Sequence, residues 1–375
     1  MKRAVVLGGG MVGATIAADM AASEGWQVRV ADARQAPLAA ISARCGAEIQ
    51  RADLSSPSAI AELCSDADVV LGAMPSALGL ATLRAVIAAG KHYVDISFMA
   101  EDPLPLAAAA AAAGVIAVVD CGIAPGLSSI MCGHAVATLP GCDRLTIYVG
   151  GLPVERRWPF GYKAGFAPSD VIEEYVRPAR FVERGELVVR EALSELEPID
   201  LPGVGTVEAF NTDGLRTLID TLDVPNMKEK TLRWPGHVEL MRAFRATGLF
   251  DLEPVDVGGV AVRPRDVTAA LVFPRWTYEP GEADLTVLRV EASGGGRRLC
   301  WDLLDYYDPA TDTRSMSRCT AFPATAVARL IGAGRFPLGP GVYAPETPGR
   351  EPGFLAAVLS DLEARGIGVR LQEIE

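Results

Sequence analysis

The segment that most limits what this chain can fold into lies at its start. Ala4–Leu7 is a short apolar run of strand type. Gly8, Gly10 and Gly13 follow as G-x-G-x-x-G, and Met11–Ala22 continues as a helix-compatible stretch. Gly8 permits the tight turn, Gly10 lets the backbone approach a pyrophosphate, and Gly13 lets helix and strand pack closely. The helix start, Met11 and Val12 included, presents free N–H groups and a positive dipole end to phosphates. A second strand, Gln27–Ala31, ends at Asp32, about 20 residues on, where a carboxylate accepts ribose hydroxyls. That acid favours NAD and repels a 2′-phosphate. Arg34, two residues later, works in the opposite direction, so NADP is the less favoured cofactor. Met1-Lys2-Arg3 ahead of the apolar run also resembles a secretory leader. Gly8, Gly9, Gly10 and Gly13 weaken its apolar core, and the strand-and-turn reading is preferred.

Strand and helix then alternate. Glu48–Arg51 reads as a strand with Asp53-Leu54 at its end, and Ser58–Cys64 as a helix. Asp68–Ala73 is a strand running into Met74-Pro75, and Ala77–Ala89 a helix stopped by Gly90. His92–Asp95 is the next strand. Val115–Val119 follows the alanine helix at Ala107–Ala113. This spacing predicts a parallel sheet whose ligands bind beyond the carboxyl ends of the strands. Asp53 and Leu54 would flank the adenine, and Ala73, Met74 and Pro75 the ribose on the nicotinamide side. Asp53 reads equally well as a cap on the following helix.

After about residue 125 the pattern changes. Ser128–Leu139 reads as a helix and Arg144–Val149 as a strand. A long stretch of mixed, polar-rich segments follows: Arg180–Val189, Glu195–Ile199, Thr206–Phe210 and Val267–Pro274. Leu285–Ser293 and Leu299–Tyr306, parted by Gly294-Gly295-Gly296, read as a hairpin. Pro323–Ile331 and Leu355–Arg365 are late helices. The expected fold is α/β: a Rossmann doubly wound parallel sheet over 1–125, an α+β substrate and dimerisation domain over 126–317, and a helix and tail over 351–375.

Composition narrows the partners. Forty-seven acidic against 35 basic residues give a net charge of -12, which argues against nucleic acid and against an anionic membrane surface. Seven cysteines without C-x-x-C spacing fit reduced thiols in a cytoplasmic protein. The chain has only three histidines, His92, His134 and His237, too scattered for a histidine-rich metal site. No metal is expected.

The segment Asp120-Cys121-Gly122-Ile123-Ala124-Pro125-Gly126-Leu127-Ser128 adds a more specific signal. Downstream stand Gly150-Gly151-Leu152-Pro153, Gly161-Tyr162-Lys163, Glu208-Ala209-Phe210-Asn211-Thr212-Asp213-Gly214 and Thr231-Leu232-Arg233-Trp234-Pro235-Gly236-His237. With the glycine fingerprint they resemble the saccharopine dehydrogenase-like superfamily, and within it the lysine 6-dehydrogenases. The resemblance implies a homodimer or larger assembly, and a chain that returns to its first domain at about 318–350. It also implies NAD-dependent oxidation of the side-chain amine of L-lysine, with ammonia released. A reductase joining an aldehyde and an amine is the alternative. No clear extra arginine pocket for a second dicarboxylate arm is apparent.

Such a reaction needs a carboxylate clamp, a partner for the α-ammonium and a base for the ε-ammonium. Arg233 is the first choice for the clamp, since a guanidinium offers two parallel donors. It lies in a turn-rich segment, and pairing with Glu229 or Glu239 at the surface is the plainer reading. Arg216 is a second clamp candidate. Asp213 or Glu173 would accept the ammonium, although Asn211-Thr212-Asp213-Gly214 is also an ordinary turn. Thr212 and Tyr162 would hydrogen-bond substrate. His237, Asp120, Asp95 and Lys163 are the base candidates: histidine titrates near neutrality without tuning, and a carboxylate needs burial to do so. His237 also reads as a packed core histidine, and Asp120 as a helix cap or a nicotinamide ligand. Ile123 would line the cofactor.

Overall fold

The computed structural model describes residues 1–165 and 168–374. It divides into two compact units, Met1–Pro140 with Ser317–Gly368, and Gly141–Met316 with the segment from Val369.

In the first unit seven parallel strands lie in the order Gly341–Tyr343, Ile116–Val118, His92–Asp95, Val69–Gly72, Lys2–Leu7, Trp26–Asp32, Glu48–Arg51. The sheet is the doubly wound Rossmann arrangement, and strand order reverses between Lys2–Leu7 and Val69–Gly72. Ligands bind at such a reversal. Helices Met11–Ala22, Gln35–Cys45, Pro57–Cys64 and Gly79–Ala88 connect the strands. Their apolar sides and the nearly continuous strand runs bury Val5, Leu7, Val70, Leu83, Val86 and Tyr93 in one core, as expected for a sheet covered on both faces.

The boundary expected at residue 125 falls later, because helix Leu127–Thr138 packs within this unit. A Cβ on Gly133 would overlap the carbonyl of Glu346, and one on Gly349 would crowd the backbone of Ile130, so two glycines let helices Leu127–Thr138 and Glu346–Gly349 meet backbone to backbone. The segment 351–375 is not one piece. Helix Phe354–Glu363 stays with the first unit, while strand Val369–Ile374 pairs with Arg297–Tyr306 in the second. Asp19 on helix Met11–Ala22 holds the returning segment. It pairs with Arg329 at 2.8 Å and with Arg365, and Asp361 pairs with the same two guanidiniums.

The second unit is built on a nine-stranded mixed sheet. The expected hairpin is an antiparallel pair, Asp284–Gly294 with Arg297–Tyr306, turned by Gly295 and Gly296 at positive φ. Val267–Pro274, grouped above with the mixed segments, is part of helix Pro264–Trp276. Thr268, Val272 and Trp276 recur at four-residue spacing and are its buried residues, a helical period that the β-branched composition obscured. Thr231–Arg233, expected in a turn, ends the buried central strand Met227–Arg233.

Among the described residues no helix is long and apolar enough to cross a membrane, no cluster of His, Cys, Asp or Glu has the makings of a metal site, and all seven cysteines are free thiols.

Candidate functional site

The glycine turn of the first unit is shaped by its neighbours. Gly8 has φ 104°, and a Cβ there would overlap the carbonyl of Ala73; one on Gly13 would overlap the carbonyl of Gly8. Ala73 is itself tied back by its N–H to the carbonyl of Leu7 at 2.8 Å. Gly10, by contrast, has nothing within 4 Å of where a Cβ would stand. It caps helix Met11–Ala22 without any side-chain hydrogen bond, and the first turn carries no acid. These amides, with exposed Met11 and half-buried Val12 beside them, form an uncapped helix start with open space over it. That is the cradle a pyrophosphate requires.

Asp32 ends the second strand. Its carboxylate accepts from the N–H of Gly9 at 2.8 Å, from the N–H of Arg34 at 2.8 Å and from the Arg34 guanidinium at 3.1 and 3.2 Å. Burial opposes its ionisation. The hydrogen bonds from Arg34 and Gly9 outweigh this and hold the carboxyl below its ordinary range. The Arg34 side chain remains 66% exposed. Asp53 accepts from the N–H and hydroxyl of Ser55 and pins that turn, whereas the cap of helix Pro57–Cys64 is Ser56. Leu54 and Met74 are core residues and Pro75 is exposed. Ile123 is buried, and its carbonyl accepts the Ser128 N–H at 2.9 Å.

Asp95 and Asp120 end neighbouring strand positions and are electrostatically coupled. Asp95 is fully buried and accepts from the Tyr93 hydroxyl at 3.1 Å, the Ser97 N–H at 3.1 Å and the Ser97 hydroxyl. Burial pushes its carboxyl up to about 7, with the Asp120 charge adding to the rise. Asp120 is buried and sits at φ 51°, a left-handed conformation of the kind that gathers at functional sites.

In the second unit Glu229, Thr231 and Arg233 alternate along one strand and so share one face. Arg233 is not the turn residue expected, and its partner is neither Glu229 nor Glu239. It is 2% exposed and pairs with Glu174. Its Nε donates to the Tyr175 hydroxyl at 3.2 Å and its Nη1 to the carbonyl of Leu232 at 2.9 Å, while the Tyr162 ring lies 4.4 Å from the guanidinium carbon. His237 is buried between Tyr162, Tyr175 and Trp276. Desolvation and the Arg233 charge lower its pKa to about 3, so it is not the near-neutral base that its residue type suggested.

The remaining expected residues are already engaged. Asp213 accepts from Arg180 at 2.8 and 3.2 Å, and Glu173 pairs with Arg265 at 2.7 Å. Lys163 pairs with Glu282 at 3.0 Å and donates to the carbonyl of Thr277 at 2.7 Å. Arg216 is buried at φ 54°. Thr212 donates to Glu229 and lies 2.9 Å from Thr231. Burial, with the Glu174 and Asp213 charges adding, pushes the Glu229 carboxyl up to about 8.

Tyr175, Glu174 and Glu229 were not read as site residues from the sequence. The i, i+4 spacing of Glu229 and Arg233 on a strand was the only local signal for any of them.

Asp95 and Glu229 both bind a proton more tightly in the folded chain than in the unfolded one. Their contribution to stability is therefore full below the ordinary carboxylate range and is lost as pH rises through about 7 and 8. Unfolding free energy is expected to fall by on the order of 4 kcal/mol between about pH 6 and 8.5. Asp95→Asn with Glu229→Gln should flatten that slope in a denaturant series; an unchanged slope would show that neither group titrates there.

Two family models cover nearly the whole chain. Residues 4–118 match the saccharopine dehydrogenase NADP binding domain, and residues 122–367 the saccharopine dehydrogenase C-terminal domain. A saccharopine dehydrogenase (NADP(+), L-glutamate-forming) of Schizosaccharomyces pombe is 24% identical over 252 residues, 62% of this chain and 54% of that protein. The Saccharomyces cerevisiae protein of the same name is 23% identical over 263 residues, 66% of this chain and 58% of that one. An alpha-aminoadipic semialdehyde synthase of Arabidopsis thaliana is 25% identical over 223 residues, which are 55% of this chain and 21% of that protein. The chain thus spans little more than half the length of the first two and about a fifth of the third. The apo saccharopine dehydrogenase (L-Glu forming) of Saccharomyces cerevisiae superposes over 100% of both chains with a TM-score of 0.83 at 18% identity, a likeness of fold. Matched by these two models over nearly its whole length, the chain belongs to the saccharopine dehydrogenase family.

Proposed function

We propose that this chain is a nicotinamide-dependent oxidoreductase that oxidises the side-chain amine of L-lysine or a close ω-amino acid and releases ammonia. The observation that carries this reading is the Arg233–Glu174 pair. A guanidinium beside a carboxylate complements the carboxylate and ammonium of an α-amino acid. Three of the five N–H donors of Arg233 are used by Tyr175, Leu232 and Glu174, which leaves one on each terminal nitrogen for a ligand.

Bound nicotinamide supplies the acceptor for the hydride that leaves Cε. The chain's own residues do the rest. The ε-ammonium must lose a proton before the hydride leaves, a task suited to a base titrating near 7; Asp95, which burial pushes up to about 7, is the base candidate of the dinucleotide unit. Water adds to the resulting C=N carbon and the C–N bond breaks, expelling ammonia. The aldehyde formed can close on its own α-amine to give a cyclic imine. Glu174, the carboxylate that stands beside Arg233, is the partner of the α-ammonium in this reading.

The favoured dinucleotide is NAD, because the anionic Asp32 stands where a 2′-phosphate would lie. Asp32→Ser should lower kcat/KM with NAD about tenfold or more and raise it with NADP, as Arg34 is freed to meet the phosphate. Adding Arg34→Ala should abolish the gain. A native chain that turns over faster with NADP than with NAD would reverse this assignment.

A second reading draws on the names of the relatives: a reductase that joins an aldehyde and an amine, as in saccharopine formation. One panel separates the two. Reduced nicotinamide formed with L-lysine and NAD supports the first, and NAD(P)H consumed only when an aldehyde and an amino acid are both present supports the second. Neither signal with any ω-amino acid or aldehyde pair removes both. Two copies of the chain are proposed to form a homodimer, which sedimentation would report as twice the mass of one chain. A cytoplasmic location is proposed from the reduced cysteines and would be read by fractionating cells that express the chain.

A further inference from the structure

We infer that Tyr175 and His237 are positioning residues that fix the plane of the Arg233 guanidinium toward a substrate carboxylate. The inference rests on the reading of Arg233 as the carboxylate clamp.

The four groups form one chain of hydrogen bonds. His237 Nδ1 lies 2.9 Å from the carbonyl of Phe160, His237 Nε2 lies 2.8 Å from the Tyr175 hydroxyl, and that hydroxyl lies 3.2 Å from Arg233 Nε. A carbonyl only accepts, so His237 Nδ1 carries the hydrogen and donates. Burial and the Arg233 charge keep the imidazole neutral, so Nε2 is a lone pair and the Tyr175 hydroxyl donates to it. A guanidinium only donates, so Arg233 Nε–H gives to the phenol oxygen. Each group has its polarity satisfied in one arrangement alone, with His237 neutral and in a single tautomer.

The parts come from four separate places: the loop at Phe160, helix Pro168–Val176, helix His237–Ala246 and the end of strand Met227–Arg233. Tyr175, His237 and Arg233 are all buried, and Phe210, Phe250 and Trp276 pack around the Tyr175 ring at 6.3 Å. Helix His237–Ala246 can begin where it does because Gly236 takes φ 94°, which sets the imidazole at its place. Glu174 and the Leu232 carbonyl hold only the terminal nitrogens of Arg233. The bond to Tyr175 is the one at Nε, and with it three contacts define the guanidinium plane. The Tyr162 ring closes one of its faces. A fork that binds a carboxylate through two parallel N–H bonds depends on that plane.

The test compares L-lysine with 1,5-diaminopentane, which keeps the amine and lacks the carboxylate, by equilibrium binding to the NAD-loaded chain and by steady-state kinetics. Tyr175→Phe should weaken lysine binding and raise its KM about tenfold. It should change kcat by less than about threefold, and leave the diamine unaffected. His237→Leu should do the same. His237→Gln, whose amide oxygen can accept from the phenol, should recover most of the loss. In the native chain, nitrogen NMR should find His237 protonated at Nδ1 and not titrating between about pH 5 and 8.

Equal losses for lysine and the diamine, no loss for either, or a His237 that titrates in that range would overturn the inference. Arg233→Lys is the control for the reading beneath it. If that variant still prefers lysine over the diamine as the native chain does, or if the native chain binds no lysine, the clamp itself falls and the inference with it. If Arg233→Lys loses the preference and Tyr175→Phe keeps it, only the positioning role falls.

Discussion

Gly13→Val is expected to abolish dinucleotide binding, with affinity reduced at least 100-fold, or about 2.7 kcal/mol. A Cβ at position 13 would overlap the carbonyl oxygen of Gly8 and stand 3.3 Å from the Cβ of Ala73. The helix cannot keep its distance from the first strand, and the amides that face the pyrophosphate move with it. Folding stability should fall too, by about 1–3 kcal/mol, the usual cost of overpacking. Gly10→Ala separates the two effects. Nothing lies within 4 Å of its Cβ, and φ is -71°, so the free chain should lose less than about 0.5 kcal/mol. The methyl nevertheless enters the space left for the phosphates, and affinity should still fall steeply. Calorimetric titration with NAD and a denaturant series on both variants check this. Gly10→Ala with native affinity would move the phosphate site elsewhere.

Asp19→Ala is expected to destabilise the chain by about 3–5 kcal/mol, the range for removing one partner of a buried ion pair. Asp19 is 8% exposed and lies between Arg329 and Arg365, whose side chains are 14% and 19% exposed. With it gone, two guanidiniums share Asp361 alone. Arg329 also reaches Ser23 and Thr325, but neutral oxygens do not replace the lost charge. Asp19→Asn should fall between, since the amide can still accept a hydrogen bond. Urea midpoints with unchanged slopes would confirm a loss of stability, and a shift under about 1 kcal/mol would make the cluster a solvated one.

The Rossmann half was legible because its information is local. A glycine that must take positive φ, a strand of four apolar residues and an acid at a strand end each report their own backbone environment. Most strands of the first sheet therefore lie within a residue or two of where the pattern put them. The second unit hid more. Val267–Pro274 falls among the mixed segments because its β-branched and aromatic residues mask the four-residue recurrence of Thr268, Val272 and Trp276. Arg233 looked exposed because Trp234-Pro235-Gly236 follows it, a turn that begins one residue after the strand ends. Its partners Glu174 and Tyr175 lie 59 and 58 residues away, and no local pattern connects them. His237 illustrates the same limit: residue type suggested a base, whereas burial beside a cation made it a neutral hydrogen-bonding spacer.

The return of the chain to its first sheet bears on how a nascent polypeptide matures. Domains made first on the ribosome ordinarily fold first. Here the strand Ile116–Val118 has no outer neighbour until Gly341–Tyr343 has been synthesised. The aspartate that anchors the late helices likewise waits for its arginines. Throughout translation of the second unit the growing chain therefore carries an open parallel edge, and open edges recruit foreign strands. Premature termination anywhere before that strand would leave a dinucleotide half that is nearly complete in sequence and still a client for chaperones.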